Sequence, residues 1–191
     1  TDILMGNGFI NQNSKIRIRM MTRKADQVID HDFLTMRVKN AWDYRKTTVD
    51  TSSCRIIFGE ADFLPGLVID KYEDVLVVEC LALGMEAFKE EIVEILKELL
   101  LKDGILIRGV YERSDANERT KEGLPKVKGF IGDEFDTTVE IIENGVHYLV
   151  DVANGQKQDS SLIRNIIVLL CSVYAKAKRY WIVLPTWEHL R

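Results

Sequence analysis

The feature that most constrains the fold of this chain is an abrupt change in the sequence between Lys157 and Gln158. Before this point, charged and apolar residues alternate in patterns typical of strands and helices. After it, Asp159 and Glu188 are the only acidic residues, and no glycine occurs. We therefore expect the residues up to Lys157 to fold, and the tail after them to be mobile or poorly packed.

The bulk composition is that of an ordinary globular protein and excludes one class of nucleic-acid binder. Of the 191 residues, 46% are hydrophobic and 29% are charged, and the net charge is −4. A chain of this length can form one or two domains, each with its own core. The negative net charge excludes a general polycation, so any RNA binding requires a local basic face.

The three cysteines predict neither a disulfide framework nor a zinc site. Cys54, Cys80 and Cys171 include no Cys-x-x-Cys pair, and we interpret the first two as small apolar residues in strands. No charged leader followed by an apolar run is found, and the longest apolar run after Lys157 is far shorter than the ~20 residues of a membrane span. We expect a cytoplasmic protein with no membrane partner and no metal.

A basic segment near the N-terminus is the first candidate for nucleic-acid contact. The sequence alternates strictly from Lys15 to Met20, which predicts a strand with one cationic face and one buried apolar face. The cationic face holds Lys15, Arg17 and Arg19, the apolar face holds Ile16, Ile18 and Met20, and Arg23 and Lys24 follow. Such a row of cations is either a solvated strand face or a phosphate-binding surface, and the pattern leaves both alternatives open.

The following residues predict an α+β arrangement. Helices are predicted from an Asp30 or Asp32 cap through Tyr44 and from Met85 to Lys102, with Gly104 in the left-handed position after the second. Strands are predicted at Arg55–Phe58, Leu67–Asp70, Val75–Val78 and Ile105–Tyr111. Two further strands, Thr138–Ile142 and Val146–Asp151, form a predicted hairpin around Asn144-Gly145, and Gly129–Asp136 is the best candidate for a domain boundary.

Two segments contain more acids, glycines and prolines than simple packing requires. The first runs from Phe58 to Asp70 and contains Gly59, Glu60, Asp62, Pro65, Gly66 and Asp70, which suit either a binding site or a structured turn. The second ends a predicted strand with Glu112, Arg113, Ser114 and Asp115. An arginine flanked by acids is commonly a salt-bridged surface residue, although Arg113 is also a candidate RNA contact.

Four sequence strings, taken in order, resemble one family. They are F-G-E-A-D-x-L-P-G-L-x-x-D-x-Y from Phe58, Y-E-R-S-D from Tyr111, K-E-G-L from Lys121, and N-G-x-x-Y-x-V-D-x-x-x-G-Q-K from Asn144. This pattern resembles the class I S-adenosylmethionine-dependent rRNA methyltransferases with an N-terminal PUA domain, including the large-subunit 23S rRNA cytosine-C5 enzymes. The resemblance covers roughly residues 6–157 and includes Gly155, Gln156 and Lys157.

The resemblance implies a domain order. Residues 1–24 would be the C-terminal remnant of a PUA β-barrel, and residues 25–132 a middle α+β domain with an antiparallel sheet and two main helices. Residues 133–157 would be the β-hairpin that introduces a Rossmann-like methyltransferase domain, itself missing. The implied partner is ribosomal RNA and the implied cofactor of the parent family is S-adenosylmethionine, while the oligomeric state stays open.

The tail, residues 158–191, is compatible with the family's next motifs read in another frame. After G-Q-K the family continues with T-G-F-F-L-D-Q. Codons can be chosen for residues 158–165 so that the same bases also encode T-G-F-F-L-D-Q-K. This second reading starts each triplet one base earlier than the present frame. Residues 166–168 regroup to Y-N-R, and residues 178–187 to K-V-L-D-C-F-T-H-M. The resemblance therefore predicts a frameshift after Lys157.

The predicted frameshift has a chemical consequence. A cofactor pocket of this kind needs a strand that ends in a glycine-containing turn, and the tail has no glycine. The family's catalytic cysteine has no counterpart, and Cys171 would be an artefact of the frame. We therefore expect no catalytic residue and no bound cofactor in this chain. The alternatives are a stand-alone RNA-binding or ribosome-interaction module, and a pseudogene or assembly product without activity.

Overall fold

The structure is a computed structural model, and it describes residues 5–143 and 146–155. The predicted Asn144-Gly145 turn, the motif positions Gln156 and Lys157, and the predicted out-of-frame tail lie outside the described residues. The described residues form a small N-terminal sheet, a five-stranded sheet with its helices, and a final two-stranded sheet.

The N-terminal sheet is an antiparallel pair of short strands. Strand β1 (Asn7–Ile10) pairs with β2 (Ile18–Thr22), and a loop closed by the Asn11 N–H bond to the Arg17 carbonyl (2.8 Å) joins them. The strand predicted to begin at Lys15 therefore begins three residues later. Phe9 anchors the sheet, because its ring lies 5.9 Å from that of Phe88.

The predicted orientation of β2 was wrong. The apolar side chains of Ile16, Ile18 and Met20 are exposed, whereas Arg19 is half-buried. The physical reason is that Arg19 forms ion pairs with Glu60 and Glu122, carboxylates contributed by distant parts of the chain. These partners stabilise the arginine against the protein, so the apolar residues on the opposite face of the strand point outward.

Helix α1 (His31–Thr48) confirms the helix predicted from an Asp30 cap. The Asp30 carboxylate accepts a hydrogen bond from the Phe33 N–H (2.9 Å), which satisfies one of the free donors at the helix start. The buried face of the helix consists of Phe33, Leu34, Val38, Ala41 and Trp42. Trp42 is 2% exposed and donates its indole N–H to Asp103 (2.7 Å), so its polar atom is also satisfied.

The central sheet has the strand order β3-β4-β5-β6-β7. Its strands are β3 (Ser53–Phe58), β4 (Leu67–Tyr72), β5 (Val75–Cys80), β6 (Gly109–Ser114) and β7 (Val127–Ile131). The prediction of an antiparallel sheet is confirmed for three of the four pairings and is wrong for β5 and β6, which are parallel. A helical crossover between these two strands returns the chain to the same end of the sheet, which imposes the parallel pairing.

The crossover consists of α2 (Leu83–Glu86) and α3 (Lys89–Lys102), so the single helix predicted from Met85 is interrupted. Gly104 has a positive φ of 81°, which confirms it as the left-handed residue after α3. The residues after it do not form the predicted strand until Gly109, and Leu106 is 74% exposed. Strand β7 and the short helix α4 (Asn117–Lys121) were not predicted.

The final pair, β8 (Thr138–Glu143) and β9 (Val146–Asp151), confirms the predicted hairpin strands. These strands do not pack into the main core, which lies between the central sheet and helices α1 and α3. They form a second cluster with the central sheet, composed of Tyr72, Val75, Tyr111, Val139, Ile141, Val152 and Ala153. Among the described residues, no helix has both the length and the apolar content needed to cross a membrane.

Candidate functional site

The segment Phe58–Asp70 is a braced turn between β3 and β4. Asp62 accepts a hydrogen bond from the Phe58 N–H (2.7 Å) and forms an ion pair with Arg45 (2.6 Å) in which both side chains are nearly buried. Gly66 has a φ of 78°, and a Cβ there would lie 2.5 Å from the Ala82 Cβ, so the position admits only glycine. This geometry favours the structured-turn interpretation.

The other acids of this segment are also paired with arginines. Asp70 accepts two hydrogen bonds from the Arg55 guanidinium (2.8 and 3.0 Å), and Glu60 pairs with Arg19 (2.9 Å). The pair of Asp70 with Arg55 is bidentate, and such a pair fixes the relative orientation of the two side chains as well as neutralising their charges. These carboxylates therefore hold the turn and the N-terminal hairpin in place.

The segment Tyr111–Asp115 also faces the interior. Glu112 is 4% exposed and accepts two hydrogen bonds from Lys89 (2.8 and 2.7 Å), and the Ser114 hydroxyl accepts one from the Cys80 N–H (2.9 Å). Arg113 donates to the Gly155 carbonyl (2.5 Å), so its guanidinium ties β6 to the loop after β9. The RNA contact predicted for Arg113 stays a prediction.

Arg119 has a structural role that could not be predicted from the sequence pattern around it. It is fully buried, pairs with the Glu86 carboxylate (2.7 and 2.9 Å), and donates to the backbone carbonyls of Cys80 and Pro125 (both 2.6 Å). Lys89 bridges Glu86 and Glu112. The four side chains form a neutral network in which three members are buried and Glu86 is half-buried; we call it the ion network (Glu86, Lys89, Glu112 and Arg119).

The ion network and its surroundings shift several pKa values. The Arg119 guanidinium lowers the pKa of Glu86 from 4.5 to about 2. Burial raises the pKa of Cys80 to about 12 and that of Cys54 to about 11, so both thiols stay protonated at neutral pH. Protonated buried thiols are poor nucleophiles, which agrees with the interpretation of both cysteines as packing residues.

Acid should weaken the fold through Glu86. Because its pKa is lower in the folded protein than in the unfolded chain, its ionised form stabilises the fold above the unfolded pKa, and this contribution disappears as the pH falls. We expect the urea midpoint to fall between pH 4.5 and about pH 2, and Glu86→Gln to show a shallower decline. Identical pH dependence of unfolding in the two proteins would show that the pair with Arg119 contributes no such stability.

The loop of the N-terminal hairpin is fixed to the residues after α4. Glu122 accepts hydrogen bonds from the Ser14 hydroxyl, from the Asn11 amide (3.0 Å) and from Arg19 (3.0 Å). Because Arg19 pairs with Glu122 and with Glu60, its charge is engaged within the protein, unlike the charges of the other cations of the predicted basic face. The remaining candidates are exposed and form no ion pair with any described residue: Lys15, Arg17, Arg23 and Lys24. These four residues are called the hairpin cations below.

A groove of about 860 Å³ lies on a different part of the surface. Its ionisable lining residues are Asp50, Glu73, Asp74, Glu140, Lys71 and Arg108. Lys71 is 4% exposed and donates to the Thr51 and Ser52 carbonyls (2.9 and 2.8 Å), and burial lowers its pKa. Because acids outnumber cations in this lining, the groove is unsuited to the phosphates of a nucleic acid.

The carboxyl ends of the two parallel strands, β5 and β6, are linked by side-chain hydrogen bonds. In open α/β sheets, ligands bind beyond the carboxyl ends of the parallel strands. Here the Cys80 N–H at the end of β5 donates a hydrogen bond to the Ser114 hydroxyl at the end of β6. The Cys80 carbonyl accepts a hydrogen bond from Arg119. Within the described residues, no group of three His, Cys, Asp or Glu side chains lies close enough to hold a metal ion.

Sequence comparison places the chain beside known proteins. A protein named ribosomal RNA large subunit methyltransferase I, from Alteromonas mediterranea, is 39% identical over 156 residues, which are 80% of this chain and 38% of the relative. A protein of the same name from Pseudoalteromonas atlantica is 32% identical over 178 residues, 92% of this chain and 44% of the relative. The chain is similar to part of these methyltransferases. It spans less than half of their length, and no family model matches it.

Solved structures show the same fold. A putative SAM-dependent methyltransferase from Streptococcus mutans superposes with a TM-score of 0.68 at 20% identity, covering 87% of this chain and 43% of that one. A putative methyltransferase complexed with SAH gives a TM-score of 0.67 at 21% identity, covering 87% of this chain and 42% of that one. The fold of this chain is therefore similar to part of each of these two larger proteins.

Proposed function

We propose that this chain is the central part of an S-adenosylmethionine-dependent methyltransferase of large-subunit rRNA, and that the described residues contribute RNA binding. The observation that carries the proposal is the 39% identity over 156 residues to a protein with that name. The shared fold supports it, because the described residues superpose on part of a putative methyltransferase at a TM-score of 0.68.

The hairpin cations are the proposed phosphate contacts. They are exposed, and none forms an ion pair with a described residue, so no protein carboxylate has to be displaced when a phosphate binds. Their position at the N-terminal hairpin agrees with the proposal that residues 1–24 are the end of a PUA domain. Residues 25–132 are then the proposed middle domain, and residues 133–157 the hairpin that enters the methyltransferase domain.

The parent reaction is transfer of a methyl group from S-adenosylmethionine to cytosine C5, on a base that must be accessible or flipped out. We further propose that a frameshift after Lys157 removes the cofactor motif and the catalytic cysteine, so that this chain binds ribosomal RNA in the cytoplasm without methylating it. The match to the Pseudoalteromonas relative spans 92% of the chain and so includes residues beyond Lys157, which makes a direct test of the frame necessary.

Binding of the chain to 23S rRNA should fall steeply with salt if phosphate contacts dominate. Each neutralised phosphate contributes about −0.7 to the slope of log affinity against log salt on single-stranded RNA. We expect Lys15→Gln/Arg17→Gln, which removes two such contacts, to reduce the steepness of this slope by about 1.4 in a filter-binding titration. The charge-matched control is Lys97→Gln/Lys102→Gln on α3, which should leave the slope unchanged. Equal slopes for all three proteins would contradict the assignment of the hairpin cations.

A stand-alone RNA-binding or ribosome-interaction module is the second candidate. The hairpin cations favour it equally, since they bind phosphate with or without a catalytic domain. The two candidates differ in the cofactor: only the methyltransferase proposal expects a repaired, longer chain to bind S-adenosylmethionine.

A further inference from the structure

One exposed face of the molecule concentrates aromatic rings and arginines. Phe58, Phe63 and Tyr44 are 52%, 57% and 59% exposed. An arginine guanidinium lies over each ring: Arg55 over Phe58 (5.1 Å), Arg37 over Phe63 (4.6 Å) and Arg45 over Tyr44 (5.1 Å). These six side chains are called the aromatic face below.

The members of the aromatic face are connected through Asp62. Its carboxylate accepts a hydrogen bond from the Phe58 N–H (2.7 Å) and pairs with Arg45 (2.6 Å), whose guanidinium lies against Tyr44. Phe63 follows Asp62 directly in the chain. The rings therefore surround one short turn and are held by its ion pair.

Phe63 adopts a backbone conformation that does not suit its side chain. Its φ is 59°, in the left-handed region where glycine is unstrained and a bulky residue is a true outlier. The ring is also more than half exposed, so burial in the core does not explain its presence. A strained residue with an exposed ring indicates a role for the ring itself.

Arg37 supplies a cation beside this ring and forms no ion pair with a carboxylate of the described residues. Its guanidinium carbon lies 4.9 Å from the centroid of the Phe33 ring and 4.6 Å from that of the Phe63 ring, and the guanidinium donates a hydrogen bond to the Met21 carbonyl (3.1 Å). Its Nε atom is buried and has no hydrogen-bond partner among the described residues. An arginine that contacts aromatic rings keeps its positive charge, which an anionic ligand can approach.

The charge around the aromatic face suits a polyanion. Two of the acids beside the rings are neutralised, since Asp62 pairs with Arg45 and Asp70 with Arg55, while Glu60 shares Arg19 with Glu122. Within the part of the chain that the structure describes, Arg37 has no ion-pair partner. The exposed hairpin cations Arg23 and Lys24 follow closely after Met21, the residue whose carbonyl accepts the Arg37 hydrogen bond, so further cations without an ion pair among the described residues lie near Arg37 in the fold.

We infer that the aromatic face binds unpaired bases of single-stranded RNA by stacking, with Phe63 as the principal ring and Arg37 as the neighbouring cation. Every base has a π-face, so such a platform tolerates many sequences. The inference rests on the proposed function, which requires RNA binding but says nothing about bases. It adds a second kind of contact to the phosphate contacts of the hairpin cations.

The test compares Phe63→Gly with Phe63→Tyr in the full chain. Glycine removes the ring and relieves the positive φ, so the fold is retained, and the melting temperature should be equal or higher. Tyrosine keeps a stacking ring at the same position. The probes are a fluorescent oligoadenylate of about 12 nucleotides and an abasic oligomer of the same length and charge, measured by anisotropy.

We expect Phe63→Gly to bind the oligoadenylate about tenfold more weakly, with an unchanged salt slope because stacking releases no counterions. Phe63→Tyr should bind as the natural protein does, and all three proteins should bind the abasic oligomer equally. Unchanged oligoadenylate affinity in Phe63→Gly would overturn the inference and leave the proposed function intact. The same loss on both probes would also overturn it, whereas no binding of either probe by the natural protein would overturn the RNA-binding proposal as well.

Discussion

Replacing Arg119 with methionine should lower the free energy of unfolding by about 3–5 kcal/mol, the loss typical of breaking a buried ion pair from one side. The guanidinium is fully buried and holds the Glu86 carboxylate and two backbone carbonyls. Methionine fills similar space but donates no hydrogen bond, so Glu86 and both carbonyls would be left without this donor. Urea denaturation followed by circular dichroism measures the difference.

The matched control is Arg108→Met. Arg108 also forms an ion pair, with Asp74 (3.1 Å), but both side chains are more than one third exposed, so the loss should be about 1 kcal/mol or less. The double variant Glu86→Gln/Arg119→Met should lose less than the sum of its single variants, because the carboxylate no longer carries a buried charge. Equal losses in Arg119→Met and Arg108→Met would refute the structural role of the ion network.

Restoring one base after the Lys157 codon should convert a chain that binds no S-adenosylmethionine into one that does. Regrouping residues 158–165 gives T-G-F-F-L-D-Q-K, and this string contains the glycine that the tail lacks. A glycine at the turn allows backbone N–H groups to approach a ligand. Isothermal titration of S-adenosylmethionine into the repaired, full-length protein should give a saturable heat.

The control for this titration is the present chain under the same conditions. We expect it to give no heat, because its tail has no glycine and so lacks the turn at which backbone N–H groups would approach the cofactor. A repaired protein that folds cooperatively and still gives no heat would count against the methyltransferase assignment. Equal heats from the two chains would show that the cofactor site does not depend on the restored frame.

Local signals in the sequence predicted the elements that depend on near neighbours. The Asp30 cap, the helical spacing of α3, the left-handed Gly104 and the alternating strands of the final hairpin all agree with the structure. In each case, the residues that determine the element lie within a few positions of one another. Periodicity and capping are sufficient at that range.

Contacts between distant residues could not be predicted in this way. The parallel pairing of β5 with β6 depends on the length and path of the crossover, not on the pattern of either strand. Arg119 looked like one cation in a polar segment, because its partner Glu86 lies 33 positions earlier. Arg19 looked like part of a basic strand face until Glu122, 103 positions later, appeared beside it. The prediction placed the wrong face of β2 in the solvent for the same reason, because it could not include the distant partner of Arg19.

The positions that carry sequence motifs have two different roles in the structure. Glu60, Asp62, Asp70 and Glu112 are engaged in ion pairs that hold the fold together. Phe63, at the variable position of the first motif, is instead exposed and strained. The acids of the motif were the more conspicuous candidates, yet the residue between them has the geometry expected of a binding group.

The most direct test of the central claim is the sequence of the coding DNA across the codon of Lys157. The account predicts that a one-base shift there opens a second reading frame that begins with T-G-F-F-L-D-Q and continues into a methyltransferase domain containing a catalytic cysteine. A stop codon directly after Arg191, with no such domain in any downstream frame, would contradict it.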